Sequence, residues 1–200
     1  MNIISHLIGF ILSIAALALL TTYSSLFGSV MHIVSMSIFG TSLLILYAAS
    51  TFYHSAKSPR LRKKLQIFDH ASIYILIAGT YTPFALITLG GAMGWTLFGV
   101  IWGLALSGVI LKFFYTGRFT VLSTIMYVFM GWIALFAINS LIANLEVGGI
   151  LLLVVGGISY TIGGVLCSIE KLKFNHAIFH VFVLLGSICH FFSVFLYLIP

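Results

Sequence analysis

Charge is what this sequence has least of. Only 6% of its 200 residues are Asp, Glu, Lys or Arg, where a soluble domain carries roughly 25%, so the chain cannot assemble an ordinary water-facing surface and a soluble globule is excluded. Acidic groups are scarcest, with Asp69, Glu146 and Glu170 the three in the whole chain, which rules out a paired-carboxylate catalytic site. Two cysteines, Cys167 and Cys189, both inside apolar runs, provide no disulfide framework and read as small packing residues. A glycine-rich phosphate loop and an aromatic cage are also missing. The opening MNIISHLIGFILSIAALALL has no basic residue ahead of its apolar stretch, so it is expected to be a first membrane span rather than a cleaved signal peptide.

What remains is hydrocarbon. The chain is 62% hydrophobic, with a mean hydropathy of +1.23. A membrane-crossing helix needs about 20 mostly apolar residues, so seven would use about 140 positions and leave about 60 for ends and short connections. The expected fold is therefore all-α, a single seven-transmembrane helix bundle over residues 1–200. Hydropathy and breakers place the spans near His6 to Leu26, Met31 to Tyr53, Phe68 to Leu89, Trp95 to Phe114 and Thr120 to Asn139. A sixth is introduced by Glu146 and the Gly148-Gly149 pair and ends near Ser168, and a seventh runs from Asn175 to Pro200. Pro83 should kink the third span, with the hydroxyls of Thr80 and Thr82 satisfying the carbonyl it frees. Gly156-Gly157 and Gly163-Gly164 permit close helix contact in the sixth, within one bundle or between copies.

The nine basic residues are sorted rather than scattered. Lys57, Arg60, Arg62, Lys63 and Lys64 follow the second span, Lys112 and Arg118 flank the end of the fourth, and Lys171 and Lys173 follow the sixth. All fall on alternate connections. The positive-inside rule then puts that face and the N-terminus in the cytoplasm and the C-terminus outside. Nucleic-acid binding is not expected from one tight basic cluster on a lipid-facing bundle.

Ionisable groups inside spans are costly and by default mark function. His54 ends the second span, Asp69 begins the third, and His176 and His180 begin the seventh, so all should share the cytoplasmic level. His176 and His180 are four apart, about 40° around a helix and one turn along it, so their rings can face one point. With His54 they would make a three-nitrogen set with an open fourth position, the catalytic pattern for zinc. Asp69 would then act as general base on a metal-activated water. Ser50, four before His54 on the same face, would hold Asp69, a ligand histidine or a water. Tyr47 and His6 are candidates to border the site. His70 should point about 100° away from Asp69, His190 should link two spans as a buried polar group, and His32 lies at the opposite end.

These motifs resemble those of the hemolysin III family, related to the progestin and adiponectin receptors. The resemblance covers nearly the whole chain and is carried by S50-TFY-H54, by Phe68-Asp69-His70 through Gly79-Thr80-Tyr81-Thr82-Pro83-Phe84, and by His176-AIF-His180 followed by His190-Phe191. It implies zinc held by His54, His176 and His180, with Ser50 and Asp69 beside it. It also implies kinship with membrane ceramidases and lipid amidohydrolases, and hence hydrolysis of an amide or similar carbonyl bond in a membrane-derived lipid, with Asp69 as base. One departure is the start, Asn2-Ile3-Ile4-Ser5-His6, which lacks the acidic residue usual in the family ahead of the first span. Two other readings stand beside the hydrolase: a membrane-energy or fluidity homeostasis sensor in which lipid is a ligand, and a cytolytic hemolysin-like protein without turnover. The external halves of the spans offer little to line a polar pore.

Overall fold

The computed structural model describes residues 2–116, 120–169 and 175–200, with the side chains of 2–4, 120 and 176 outside the description. Arg118, Lys171 and Lys173, used above for topology, and the acidic Glu170 lie outside the described residues. The rest is helical, with no strand among the described residues: α1 (Asn2–Phe27), α2 (Val30–Ser55), α3 (Pro59–Pro83), α4 (Gly91–Tyr115), α5 (Thr120–Trp132), α6 (Ile138–Asn144), α7 (Val147–Cys167) and α8 (Asn175–Tyr197). Since α5 and α6 are two parts of one crossing, 7 segments are long and apolar enough to span a bilayer. The chain is an integral membrane seven-helix bundle.

α1 with α2, α2 with α3, α3 with α4 and α7 with α8 pack as neighbours, α5 lies against α3 and α7, and α8 also packs on α1, bringing the last crossing back to the first. α3 is innermost: 67% of its most apolar stretch is buried, against 17–44% in the other six crossings. Outward faces carry Ile11, Leu26, Leu106, Phe136 and Leu151, all exposed, as lipid contact requires. The core joins Leu20, Met36, Phe39, Leu43 and Val194 from α1, α2 and α8, and a second cluster joins Ala78, Ile101, Ala105 and Met130 from α3, α4 and α5.

The third crossing starts earlier than hydropathy suggests. Pro59 occupies the first turn of α3, where its missing N–H has no cost and its fixed φ suits a helix. Arg60, Arg62, Lys63 and Lys64 therefore stand exposed on helix, not on a loop. α3 with the turns that follow it, Pro59–Leu89, is 31 residues long, about 45 Å at ~1.5 Å per residue. A hydrocarbon core is about 30 Å. The surplus of about 15 Å matches the basic first turns, which puts Asp69 at the boundary rather than at mid-membrane.

Two irregular stretches interrupt the crossings. After Pro83 the backbone widens into a π-helix over Phe84–Leu89, closed by Gly90 N–H donating to Ala85 O at 3.0 Å. Gly90 and Gly91, at φ 58° and 49°, then turn the chain into α4 in a region that disfavours a Cβ. The threonine hydroxyls do not take up the role expected of them. The proline removes a donor to Gly79 O, whereas Thr80 donates to Leu76 O and Thr82 to Ala78 O, each at 2.8 Å. The second irregularity, a 3-10 segment over Ile133–Ala137, is held by Tyr81. Its hydroxyl donates to Gly131 O and accepts from Ala134 N–H, both at 2.8 Å, replacing partners that water cannot supply in a membrane.

The glycine pairs divide by face. A Cβ on Gly156 would lie 2.4 Å from the His190 ring, and one on Gly163 would lie 2.9 Å from Phe182, whereas Gly157 faces open space. Gly156 and Gly163 thus serve the α7–α8 contact within the bundle. There His190 Nε2 donates to Leu153 O at 3.1 Å, the inter-span link read for it.

Candidate metal centre

Alternation of crossings brings the start of α1, the end of α2, the start of α3, the end of α4 and the start of α8 to one end of the bundle. His6 enters from α1, buried; His54 from the last turn of α2, half-buried; and His180 from the second turn of α8, buried. The His6 ring lies parallel to that of His54, with centroids 5.1 Å apart and 9° between planes, and edge-on to that of His180, at 3.8 Å and 72°. His54 and His180 meet at 5.3 Å. One nitrogen from each ring lies within 4.8 Å of the others.

Three imidazoles suit zinc among the biological divalent ions. At Zn–N distances of about 2.0–2.1 Å, tetrahedral geometry sets nitrogens about 3.3–3.4 Å apart, so closing the trio takes movements of about 1.5 Å at most. The donor set fits the ion.

Ser50, one turn before His54 on α2, is buried and lies 3.2 Å from His6 Nε2 through its hydroxyl. It is also a hydrogen-bonding neighbour of the Asp69 carboxyl. Asp69 is 7% exposed. Ser50, Asp69, His6 and His180 together line one end of a cavity of ≈ 300 Å³ that continues past Thr80 and Tyr81 to His190. That is the lower end of the usual range for ligand pockets. Polar groups crowd the histidine end, and Leu, Ile, Val and Phe side chains make up much of the remaining wall.

The structure thus brings together His54, His180, Ser50 and Asp69 from the sequence-derived set. His176 stands one turn before His180 on the backbone of α8, but its side chain lies outside the described residues. His6, expected only to border the site, supplies a ring to the trio; the parity of the crossings was the signal for it. Tyr47 turns elsewhere, its hydroxyl donating to Ser187 Oγ at 2.8 Å, where Tyr160 also bonds. His32 sits at the opposite end, paired through Nδ1 with the Ser29 hydroxyl at 2.8 Å. Lys112, read above only for topology, is 4% exposed and lines the same cavity as Asp69.

The family described as Haemolysin-III related matches the chain over residues 1–191. Hemolysin-3 of Bacillus cereus is 48% identical over 199 residues, 100% of this chain and 91% of that protein. The Hemolysin-3 homolog of Bacillus subtilis strain 168 is 46% identical over 196 residues, 98% of this chain and 92% of that protein. More distantly, the human monocyte to macrophage differentiation factor is 30% identical over 167 residues, 80% of this chain and 69% of that protein.

Proposed function

We propose that this chain, which belongs to the haemolysin III family, is a zinc-dependent membrane hydrolase that cleaves an amide or similar carbonyl bond in a membrane-derived lipid. The observation that carries the reading is the convergence of His6, His54 and His180, with His6 and His180 lining the same cavity as Asp69. The ion would be held by His54 and His180 with a third imidazole from His6 or His176. Zinc so held polarises a carbonyl and acidifies a water.

The chain's own groups account for the rest. An acyl chain fills the apolar length of the cavity, and its carbonyl comes to rest at the polar end. Asp69 accepts a proton from the water as it adds to the carbonyl carbon, then returns it to the leaving nitrogen as the C–N bond breaks, so acid and amine are released. Ser50 orients both His6 and Asp69. The basic first turns of α3 mark the same end of the bundle, and under the positive-inside rule this end faces the cytoplasm of a bacterial plasma membrane.

The test is zinc analysis of the purified protein. Wild type should carry zinc, His54→Ala and His180→Ala should lose it, and whichever of His6→Ala and His176→Ala also loses it identifies the third ligand. A zinc-free wild type under metal-replete conditions removes the reading. Asp69→Asn should keep zinc yet release no product from a bacterial lipid extract; turnover at the wild-type rate removes Asp69 as base. The name of the B. cereus relative, hemolysin, favours a second reading, membrane lysis, under which vesicle leakage should persist in Asp69→Asn.

A further inference from the structure

Lys112 is buried where it has an easy way out. It stands in the last turn of α4, and lysines so placed ordinarily stretch their ammonium to the interface. This one is 4% exposed and faces the cavity. Phe68 and Phe113 meet edge to face at 6.0 Å, which sets Lys112, beside Phe113, at the level of Asp69, beside Phe68. Its Nζ donates to Ser123 Oγ at 2.5 Å and lies 6.0 Å from the centroid of the Tyr127 ring. Tyr127 is fixed in turn by donating to His70 O at 2.9 Å. An ammonium has three donors, and among the described residues this one meets one hydroxyl and one aromatic face. Among the described residues, which do not include Glu170, it makes no ion pair, and Glu146 lies at the other end of the bundle, ahead of α7.

We infer that Lys112, with Ser123 and Tyr127, forms an anion-holding subsite at the polar end of the cavity, so the lipid bound there carries a carboxylate or phosphate oxyanion. The inference rests on the reading that the cavity takes a lipid. It names what that reading leaves open, namely the charge on the ligand. An oxyanion accepts the remaining Lys112 donors in a charge-assisted bond while the acyl chain occupies the apolar wall. Asp69, on the same cavity, disfavours an anion placed near the histidines, so the two groups together direct the charged part of the ligand towards α4 and α5.

The experiment measures binding of oleate, oleyl phosphate and methyl oleate to the purified full-length protein, as isolated and again after chelation of metal, for wild type, Lys112→Gln and Lys112→Arg. Wild type should bind at least one of the two anions tenfold or more tightly than the ester, with or without metal. Lys112→Gln should lose that preference without weakening the ester, and Lys112→Arg should retain most of it. The anion that shows the drop tells carboxylate from phosphate. Equal affinity of wild type for all three ligands overturns the proposal without any variant, as does an equal change for all three in Lys112→Gln, which marks a packing role. Zinc content is read on the same samples and should match wild type, so loss of the metal reading and loss of the anion subsite are seen separately.

Discussion

Replacing Ser50 by alanine tests whether the histidine end is a metal site held in shape by its neighbours. The serine lies 3.2 Å from His6 Nε2 and beside the Asp69 carboxyl, so one substitution removes the group common to a ring of the trio and to the acid. A net hydrogen bond contributes about 0.5–1.5 kcal/mol, and more to a charged partner, so losing both should amount to about 1–3 kcal/mol. If that energy orients the ligands, it appears in metal affinity, where about 1.4 kcal/mol is a factor of ten. Zinc should bind roughly tenfold to a hundredfold more weakly, the range expected for residues that hold ligands in place. Competition against a chromophoric chelator on purified protein reads this directly, with Ser50→Thr, which keeps the hydroxyl, as control. A zinc affinity for Ser50→Ala within about twofold of wild type, in a background where His54→Ala abolishes binding, would refute the reasoning. The serine would then be a helix-packing residue whose loss shows only as a lower melting temperature.

Three further outcomes follow from the fold. Tyr81→Phe deprives Gly131 O and Ala134 N–H of their partner, and at about 0.6 kcal/mol per bond inside a membrane, with ~1.7 as the upper end, it should destabilise by about 1–3 kcal/mol in a reversible unfolding assay. Unchanged stability would mean that the 3-10 stretch satisfies itself. Gly156→Leu drives a side chain into His190, which already stands 2.4 Å from where a Cβ would be, and should separate α7 from α8 with a large fall in melting temperature, whereas Gly157→Leu, facing open space, should be neutral. Reporter fusions should place Lys57 and the exposed first turns of α3 inside the cell and the C-terminus outside, and the reverse orientation would move the histidine end to the outer leaflet.

Much of this architecture can be read from the sequence because a membrane imposes a length on every crossing. Apolar stretches of about 20 residues are hard to confuse with anything else, and Asp69, His54 and His180 stand out because ionisable groups are rare in such surroundings. What composition could not convey was backbone detail. The break after Trp132 has no proline to announce it; it depends on Tyr81, a residue about fifty positions earlier that supplies both missing bonds. The basic run after α2 looked like a loop because polarity ends a hydropathy segment, yet α3 begins at Pro59, helix being indifferent to whether its surroundings are lipid or water. His6 was underrated for a different reason: a lone histidine at a helix start carries little information until the pairing of α1 with α2 and α8 shows which rings it meets.

The same parity explains why chemistry gathers at one end at all. Odd crossings start, and even crossings finish, on the side that holds His6, His54, Asp69, Lys112 and His180. Each of these residues lies within a few turns of a boundary, where a polar group needs little compensation, and the helices then turn it inward so that its partner is another polar side chain rather than lipid. Depth is set in the same way: the surplus length of α3 holds Asp69 at the boundary while the cavity extends from it towards His190. An amphiphile entering such a space has one favourable orientation, with its head among the ionisable groups and its chain along the apolar wall. The reacting bond of any lipid that is turned over is therefore the one where head joins chain, so lengthening or shortening the acyl chain should change affinity much more than it changes the position of cleavage.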